Sequence, residues 1–449
     1  MNPARRRLAG LLALAALVGC TSTLPSHGTP IDGQVARSSF EQVWTLVEQT
    51  DVDPAHDGVD WLAIRAEFEP RAERCRTQEE LRRTLDDMLG RLGRSHYGIL
   101  PEGGAPQRSV GDGTLGLDLR VIEASIVVTR VEPESPAAAA GVMSGWTVER
   151  VDDRAAMADV PAADALGPMA RYARNAAAQG LDDGATGGSE RWILRDAAGA
   201  ERPCTLQRVA RPGTPTQIGL LRSFQARCQD RWLAPDELQA AGMPTDRRVG
   251  LIRFNVWMPA IAMDIDAAVD RHRGDDGLIV DLRGNPGGVG AMAMGVAGHF
   301  LSREDSLGTM RTRDATLEFR ANPRLSTADG RSVQPYAGPL VILVDPLTAS
   351  TSEIFAAGLQ GLGRARVVGR TSAGAALPAQ MRELPSGDGL LFAFADFTRP
   401  DGRRIEGEGV VPDAFSGTCV VDWQHGHDPD ITEAVRQIGH SARTERPTS

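Results

Sequence analysis

The sequence predicts an α/β fold in which a helical segment and a small β domain precede a largely parallel sheet covered by helices. Three observations support this prediction. Residues about 38–105 carry apolar side chains at helical spacing, residues 110–208 change to short alternating strands, and residues 249–415 alternate buried strands with helical patterns. With 449 residues, the chain is also too long for one ordinary core.

The N-terminal segment is typical of packed amphipathic helices. Apolar residues fall at i, i+3, i+4 and i+7, at Phe40, Val43, Trp44 and Val47. Thr77 with Glu80 predicts a capping box, and an apolar stripe follows over residues 81–92. The segment then ends in a loop that contains Ser95 and His96.

In the second segment, residues 110–208, a short helix bounded by Pro136 and Gly141 lies between two predicted strands. This arrangement resembles a PDZ domain. The resemblance makes Leu115-Gly116-Leu117 a carboxylate-binding loop, in which backbone N–H groups hold a peptide C-terminus. Trp146 and the long Ala/Gly-rich stretch 162–188 depart from the PDZ pattern. Peptide binding and a spacer that binds nothing therefore both remain open.

The third segment, residues 249–415, contains the predicted parallel sheet. Four short apolar runs indicate its buried strands: 249–254, 278–282, 340–344 and 367–368. Residues 209–248 form a polar connector without an assigned structure, and residues 416–449 form a C-terminal tail with a short helix at 431–438.

Composition excludes several classes of function. The net charge of −10 without a basic run argues against nucleic-acid binding. No cysteine or histidine cluster has metal-ligand spacing, and we expect no metal or cofactor. Cys75, Cys204, Cys228 and Cys419 are too scattered for a disulfide scaffold, although Cys204 and Cys228 could pair. All 49 Lys+Arg positions are arginine, so no lysine can serve as a general base.

The first twenty residues are typical of an export signal. Arg5–Arg7 precede a short apolar stretch, Leu8–Val18, which is well below the ~20 residues of a spanning helix. The signal ends at Cys20 in a sequence that looks like a bacterial lipobox, and residues 21–37 form a tether. We expect Cys20 to be lipidated and the chain to lie on the periplasmic side of the bacterial cell envelope, anchored to a membrane. The alternative is an ordinary cleaved signal with a chance cysteine.

Two motifs in the third segment follow buried strands. Residues 281–288, DLRGNPGG, place glycines where backbone N–H groups can line an oxyanion hole, or they form a plain turn. Residues 348–353, TASTSE, open a helix, and their Ser350 is either a nucleophile at the helix N-terminus or an N-cap paired with Glu353.

The order of the motifs resembles a known family. Residues 250–254, DLRGNPGG, ASTSE, 368–371 and the EGEGVVPD sequence at 406–413 follow one another as in the C-terminal (tail-specific) processing peptidases and the tricorn core peptidase. This resemblance implies a ClpP/crotonase-like α/β peptidase core with an inserted PDZ-like domain. It also implies serine peptidase activity on protein or peptide substrates.

The resemblance also implies a set of catalytic residues. One branch of the family uses a Ser–Lys dyad, but Ala375 stands at the lysine position here. The tricorn-like branch uses a serine, a histidine after a serine, and a glutamate, which implies Ser350, Ser95-His96 and Glu406. Glu406 would orient the imidazole directly or through Ser95, with Glu408 as a rival on the same face of a predicted strand. Gly287 or Gly288, together with Thr351, would form the oxyanion hole.

Two functions compete at this point. The first is a lipid-anchored serine endopeptidase that cuts protein ends or unfolded proteins. The second is a non-catalytic PDZ-type binding lipoprotein that retains the fold and uses Ser350 as a helix cap. A crotonase-type acyl-CoA enzyme ranks third because it needs neither export nor a PDZ-like insert.

Overall fold

A computed structural model describes residues 28–101, 111–162, 167–327 and 329–444. The predicted export signal, Cys20 and residues 21–27 of the predicted tether lie outside the described residues. No helix within the described ranges has both the length and the apolar composition needed to cross a bilayer.

The N-terminal unit consists of three helices and one strand. Its elements are α1 (Gly33–Thr50), α2 (Trp61–Glu73), α3 (Gln78–Leu89) and β1 (Gly98–Leu100). The capping box predicted at the start of α3 is present, because the Thr77 hydroxyl accepts the N–H of Glu80 and the Glu80 carboxylate accepts that of Thr77. Phe40, Phe68 and Leu85 are buried where the three helices meet.

A β domain with one long helix, which we call the inserted domain, spans residues 113–210. Its elements are β2 (Gly113–Thr114), β3 (Leu117–Ile122), β4 (Ser125–Val131), α4 (Pro136–Ala139), β5 (Thr147–Val151), β6 (Arg154–Ala155), α5 (Pro168–Gln179), β7 (Ser189–Arg195), β8 (Glu201–Gln207) and β9 (Val209–Ala210). Its main sheet has the order β3-β4-β5-β7-β8. The Ala/Gly-rich stretch that departed from the PDZ pattern contains α5, which packs beside β3.

The connector 209–248 contains regular secondary structure, although none was predicted for it. It contains β10 (Thr214–Thr216), β11 (Phe224–Ala226), β12 (Cys228–Trp232) and α6 (Pro235–Ala240). Strand β12 pairs antiparallel with the first strand of the third segment, so the connector supplies an edge of the core sheet.

The core is a six-stranded sheet with helices on both faces. The remaining elements are β13 (Val249–Phe254), α7 (Ala262–His272), β14 (Gly277–Asp281), α8 (Ala291–Ala297), β15 (Asp305–Arg311), β16 (Thr316–Ala321), β17 (Leu340–Val344), α9 (Thr351–Gly361), β18 (Arg366–Gly369), β19 (Ala379–Glu383), β20 (Gly389–Ala393), β21 (Asp396–Thr398), β22 (Ala414–Phe415), α10 (Val420–Trp423) and α11 (Pro429–Thr444). The strand order is β12-β13-β14-β17-β18-β22, and every pair except β12-β13 is parallel.

Alternate residues of the core strands face two separate apolar layers. Ile252, Val280 and Ile342 pack under α7, α8 and α9, whereas Leu251 and Ile279 pack under α6 and α11. Because both faces are covered, the strands are nearly continuous apolar runs, which explains why the sequence predicted them closely.

The parallel strands bring the predicted motifs together. The loops after β14, β17 and β18 leave the carboxyl ends of neighbouring strands, which lie at one edge of the sheet. Strand β1 of the N-terminal unit pairs with β20, so the loop with Ser95 and His96 joins the same region. Of the described cysteines, Cys75, Cys204, Cys228 and Cys419 are all free, so the possible Cys204–Cys228 pair is not formed.

Candidate active site

Ser350 lies at a sharp turn between β17 and α9. Its φ of 55° and ψ of −121° lie outside the regions that L-residues ordinarily occupy, which costs about 1–3 kcal/mol. Its N–H donates to the carbonyl of Ala375 at 2.7 Å and to the Glu353 carboxylate at 3.1 Å. Such strained turns are characteristic of nucleophiles that must project from a sheet edge.

The Ser350 hydroxyl does not cap the helix. The Glu353 N–H donates to the backbone carbonyl of Ser350 at 2.8 Å rather than to its hydroxyl, and of the predicted capping box only the contact from the Ser350 N–H to the Glu353 carboxylate is formed. The alternative role of Ser350, an N-cap whose hydroxyl accepts the Glu353 N–H, is therefore not supported by the hydrogen bonds of the described residues. The hydroxyl stays available at the positive end of the helix dipole.

Glu353 holds the strained turn against the loop that follows β18. Its fully buried carboxylate accepts the Ser372 hydroxyl at 2.5 Å and the N–H groups of Gly374 and Ala375 at 2.7 and 2.9 Å, besides that of Ser350. Burial raises the pKa of Glu353 to about 7, while these donors favour its ionised form. The sequence showed this glutamate only as a capping residue, and its spacing from Ser350 was the available signal.

His96 follows the N-terminal helices in a tightly held loop. Arg94 anchors the loop through ion pairs to Asp51 at 2.7 Å and to Asp57 at 3.0 Å. On the other side, the N–H of Ile99 donates to Asp86 at 2.8 Å. His96 itself has left-handed backbone, with a φ of 60°, and its exposure of 6% means that the imidazole is buried.

Ser95 connects His96 to Glu406. The Ser95 Oγ lies 2.7 Å from His96 Nδ1 and 2.8 Å from Glu406 Oε2. The Glu406 carboxylate also accepts the N–H groups of Ser95 at 2.8 Å and Ala376 at 3.0 Å. The three residues therefore form one chain of hydrogen bonds.

The direction of this chain determines the imidazole tautomer. Burial raises the pKa of Glu406, whereas the backbone N–H groups of Ser95 and Ala376 donate to its carboxylate and favour the ionised form, in which it can only accept. The single hydrogen of the Ser95 hydroxyl then points to Glu406, and the oxygen accepts from His96 Nδ1–H. Nε2 is left with a lone pair. Burial lowers the pKa of His96 to about 4, which keeps this neutral form at physiological pH.

Glu408 does not take part in this arrangement. Residues 406–408 form a turn rather than the predicted strand, with φ of 76° at Gly407 and 80° at Gly409. The side chains of Glu406 and Glu408 thus do not share a strand face, and Glu408 is exposed. The prediction of a strand here was wrong because the two glycines allow left-handed backbone.

The glycine loop lies directly against Ser350. A Cβ at Gly287 would lie 2.6 Å from the Ser350 Cβ, so this position has room for glycine alone. The Gly287 N–H donates to Asn285 Oδ1 at 3.0 Å, whereas the N–H groups of Gly288 and Thr351 have no partner among the hydrogen bonds of the described residues. Of the predicted oxyanion donors, this favours Gly288 and Thr351 over Gly287.

The described residues contain no hydrogen bond between the Ser350 hydroxyl and His96. Ala375 and Ala376 nevertheless link the loop of the nucleophile to Glu406. The Ala375 carbonyl accepts the Ser350 N–H, and the Ala376 N–H donates to the Glu406 carboxylate. In the described part of the chain, no group of three or more His, Cys, Asp or Glu side chains is arranged to hold a metal ion.

The predicted carboxylate-binding loop of the inserted domain already has an acceptor. The N–H groups of Leu115 and Leu117 both donate to Asp182 Oδ1, at 3.0 and 2.9 Å, and the Gly116 N–H donates to the Thr114 hydroxyl at 3.0 Å. These groups are therefore not free to hold a peptide C-terminus in this structure. The sequence did not point to Asp182, which lies in the stretch that departed from the PDZ pattern.

Comparisons with known proteins identify two regions of the chain. Residues 248–415 match the model of peptidase family S41, and residues 34–90 match that of the tricorn protease C1 domain. These ranges contain Ser350, Glu406 and the glycine loop, and the helices that precede His96.

Individual relatives extend the match to most of the chain. A carboxyl-terminal-processing protease of Synechocystis is 25% identical over 91% of this chain and 87% of that protein. A putative tricorn protease homolog of Streptomyces coelicolor is 27% identical over 92% of this chain but only 33% of its own length. Among solved structures, the photosystem II D1 C-terminal processing protease is similar in fold, with a TM-score of 0.54 and 20% identity over 88% of this chain and 99% of that one. The chain thus contains a peptidase family S41 domain over residues 248–415 and a tricorn protease C1 domain over residues 34–90, and it is a serine-type peptidase.

Proposed function

We propose that this chain is a lipid-anchored serine endopeptidase of the bacterial cell envelope, with Ser350, His96, Ser95 and Glu406 as its catalytic set. The observation that carries the proposal is the Ser95 hydroxyl, which joins His96 Nδ1 to Glu406 at 2.7 and 2.8 Å. A chain without lysine needs another base, and this arrangement presents the lone pair of His96 Nε2.

The proposed steps follow from acyl-transfer chemistry. His96 Nε2 takes the Ser350 hydroxyl proton as Oγ attacks the substrate carbonyl, and it later returns this proton to the leaving amine. Glu406, acting through Ser95, holds the ring and stabilises the imidazolium. The N–H groups of Gly288 and Thr351 donate to the oxyanion of the tetrahedral intermediate, and water then releases the acyl group from Ser350 by the same proton transfers.

The substrates we propose are protein ends or loosely folded proteins. This proposal rests on the names of the relatives, of which several are carboxyl-terminal-processing proteases. The membrane anchor rests on the lipobox-like sequence that ends at Cys20. We further propose that the inserted domain is PDZ-like. Like a PDZ domain, it has a short helix, a glycine-containing loop and an edge strand beside a helix.

A fluorophosphonate probe tests the nucleophile and the base. Wild-type protein should be labelled, and Ser350→Ala should not be. His96→Ala should lose labelling by several orders of magnitude, whereas the exposed His425→Ala should retain it. Equal labelling of His96→Ala and His425→Ala would exclude His96 as the base.

The non-catalytic binding lipoprotein is the other candidate, because Ser350 and His96 are not hydrogen-bonded at rest. It predicts no labelling of wild-type protein together with capture of peptide C-termini. The occupied N–H groups of Leu115 and Leu117 weigh against that capture.

A further inference from the structure

Strand β3 lies at an edge of the inserted domain's sheet. Within the described residues it pairs with β4 on one side only, and its outer backbone groups face helix α5. An edge strand with free backbone groups can accept an added peptide strand, with main-chain hydrogen bonds to alternate residues. In β3 these alternate residues are Leu117, Leu119 and Val121. The groups that bond to their backbones show what occupies the edge.

Two side chains of α5 occupy the positions of an added strand. The amide of Gln179 accepts the Leu119 N–H at 3.0 Å through Oε1 and donates to the Leu117 carbonyl at 2.9 Å through Nε2. A primary amide carries the same donor and acceptor pair as a peptide unit, so Gln179 replaces one. One turn earlier on the helix, Asn175 Oδ1 accepts the Val121 N–H at 3.0 Å.

Asp182 occupies the position of a terminal carboxylate. It accepts two N–H groups of the loop 115–117 through Oδ1 and the Thr114 hydroxyl through Oδ2 at 2.6 Å. Its side chain is almost completely buried, with 1% of the residue exposed. The succession Asn175, Gln179 and Asp182 thus presents amide, amide and carboxylate, in the order of a peptide that ends in the loop.

Other contacts hold this internal segment in place. The guanidinium of Arg208 donates to the backbone carbonyls of Leu181 and Asp182, at 2.9 and 3.1 Å. The opposite side of α5 is anchored in the core, where Tyr172 packs with Ala349, the neighbour of the nucleophile, and with Ala375, whose carbonyl accepts the N–H of the nucleophile. An incoming peptide would have to displace a segment that is part of the wall of the active site.

We infer that Asn175, Gln179 and Asp182 form an internal ligand of the inserted domain, so that the peptidase selects its substrates without capture of their C-terminal carboxylates by this domain. The inference rests on the proposed PDZ-like character of the domain and refines the proposed function. It makes Asp182 a determinant of specificity, although this residue touches neither substrate nor the reacting atoms.

Peptide binding to inactive protein tests the inference independently of catalysis. The probes are fluorescein-labelled decapeptides that end in Ala, Val, Leu or Phe, each as free acid and as C-terminal amide. Ser350→Ala protein should bind the two forms equally by fluorescence anisotropy. The Ser350→Ala/Asp182→Ala double variant should bind at least one free acid about tenfold more tightly than its amide. This is the gain expected when a terminal carboxylate accepts the N–H groups of Leu115 and Leu117 that Asp182 has released.

Asp182→Asn is the matched control. Its amide oxygen still accepts the N–H groups of Leu115 and Leu117, so it should bind free acid and amide equally. A free-acid preference in the Ser350→Ala parent, or none in a folded Asp182→Ala variant, overturns the inference.

Hydrogen exchange on the parent protein decides the matter if Asp182→Ala does not fold. Saturating free-acid peptide should leave the exchange of the Leu115 and Leu117 amides unchanged, and added protection there overturns the inference. In the active enzyme, kcat/KM should be the same for free-acid and amidated substrates. A chain that hydrolyses neither substrate contradicts the proposed function, but the binding outcomes remain decisive for the inference.

Discussion

The buried imidazole of His96 should make the stability of the protein depend on pH. Burial lowers its pKa in the folded protein to about 4, whereas an unfolded chain titrates near ~6.5. Between these values the unfolded state binds a proton that the folded state does not. The free energy of unfolding therefore falls as the pH is lowered from about 6.5 to about 4, and it is unaffected by this group above that range.

The size of the effect follows from the shift. A difference of about 2.5 pKa units at ~1.4 kcal/mol per unit amounts to about 3 kcal/mol, a large part of the stability of a typical domain. The imidazole is 6% exposed and no opposite charge contacts it directly, so solvent screens little of this cost.

Urea denaturation of two inactive proteins measures this contribution. Ser350→Ala and Ser350→Ala/His96→Gln are compared at about pH 7 and about pH 4, at constant ionic strength, so that the other titrating groups cancel in the difference. The protein with His96 should lose about 3 kcal/mol more than the glutamine variant on acidification. Parallel losses, within about 0.5 kcal/mol, would refute a strongly lowered pKa.

Three further predictions address the loops around the nucleophile. Glu406→Gln should reduce kcat/KM by at least about tenfold, because the amide orients and stabilises the imidazole less well, while the exposed Glu408→Gln should leave kcat/KM unchanged; a similar loss in both variants would contradict the assignment. Gly287→Ala should reduce fluorophosphonate labelling strongly, because its Cβ would lie 2.6 Å from that of Ser350, and undiminished labelling would contradict this packing. Arg283→Leu should lower the free energy of unfolding by about 3–5 kcal/mol, because it removes the buried guanidinium that Asp281, Asp428 and Asp430 share and leaves Asp281 with Arg253 and Asp430 with Arg370 as their remaining arginine partners; calorimetry that finds a change below about 1 kcal/mol would contradict the role of these ion pairs.

The sequence predicted the parts of the fold whose signal is local. The apolar runs of the core strands coincided with the observed strands within a residue or so, and Thr77 and Glu80 predicted the start of α3. The strand predicted at Glu406 and Glu408 was wrong, because Gly407 and Gly409 adopt left-handed backbone and turn the chain.

The sequence could not predict contacts that depend on distant segments. Ser350 and Glu353 have the spacing of a helix cap, and only the docking of the loop 372–375 turns the glutamate toward other donors. Asp182 is 65 residues or more from the N–H groups that it accepts, and no local pattern reveals that a helix side chain replaces a peptide strand. The order of motifs, by contrast, was enough to bring Ser95, His96 and Glu406 together.

The C-terminal helix has a consequence for the loop that lies against the nucleophile. Arg283, in the loop after β14, is paired with Asp428 and Asp430 at the start of α11 as well as with Asp281. One guanidinium therefore joins two segments that are 145 positions apart in the chain. A change at the start of α11 thus reaches the glycine loop without any contact with the reacting atoms.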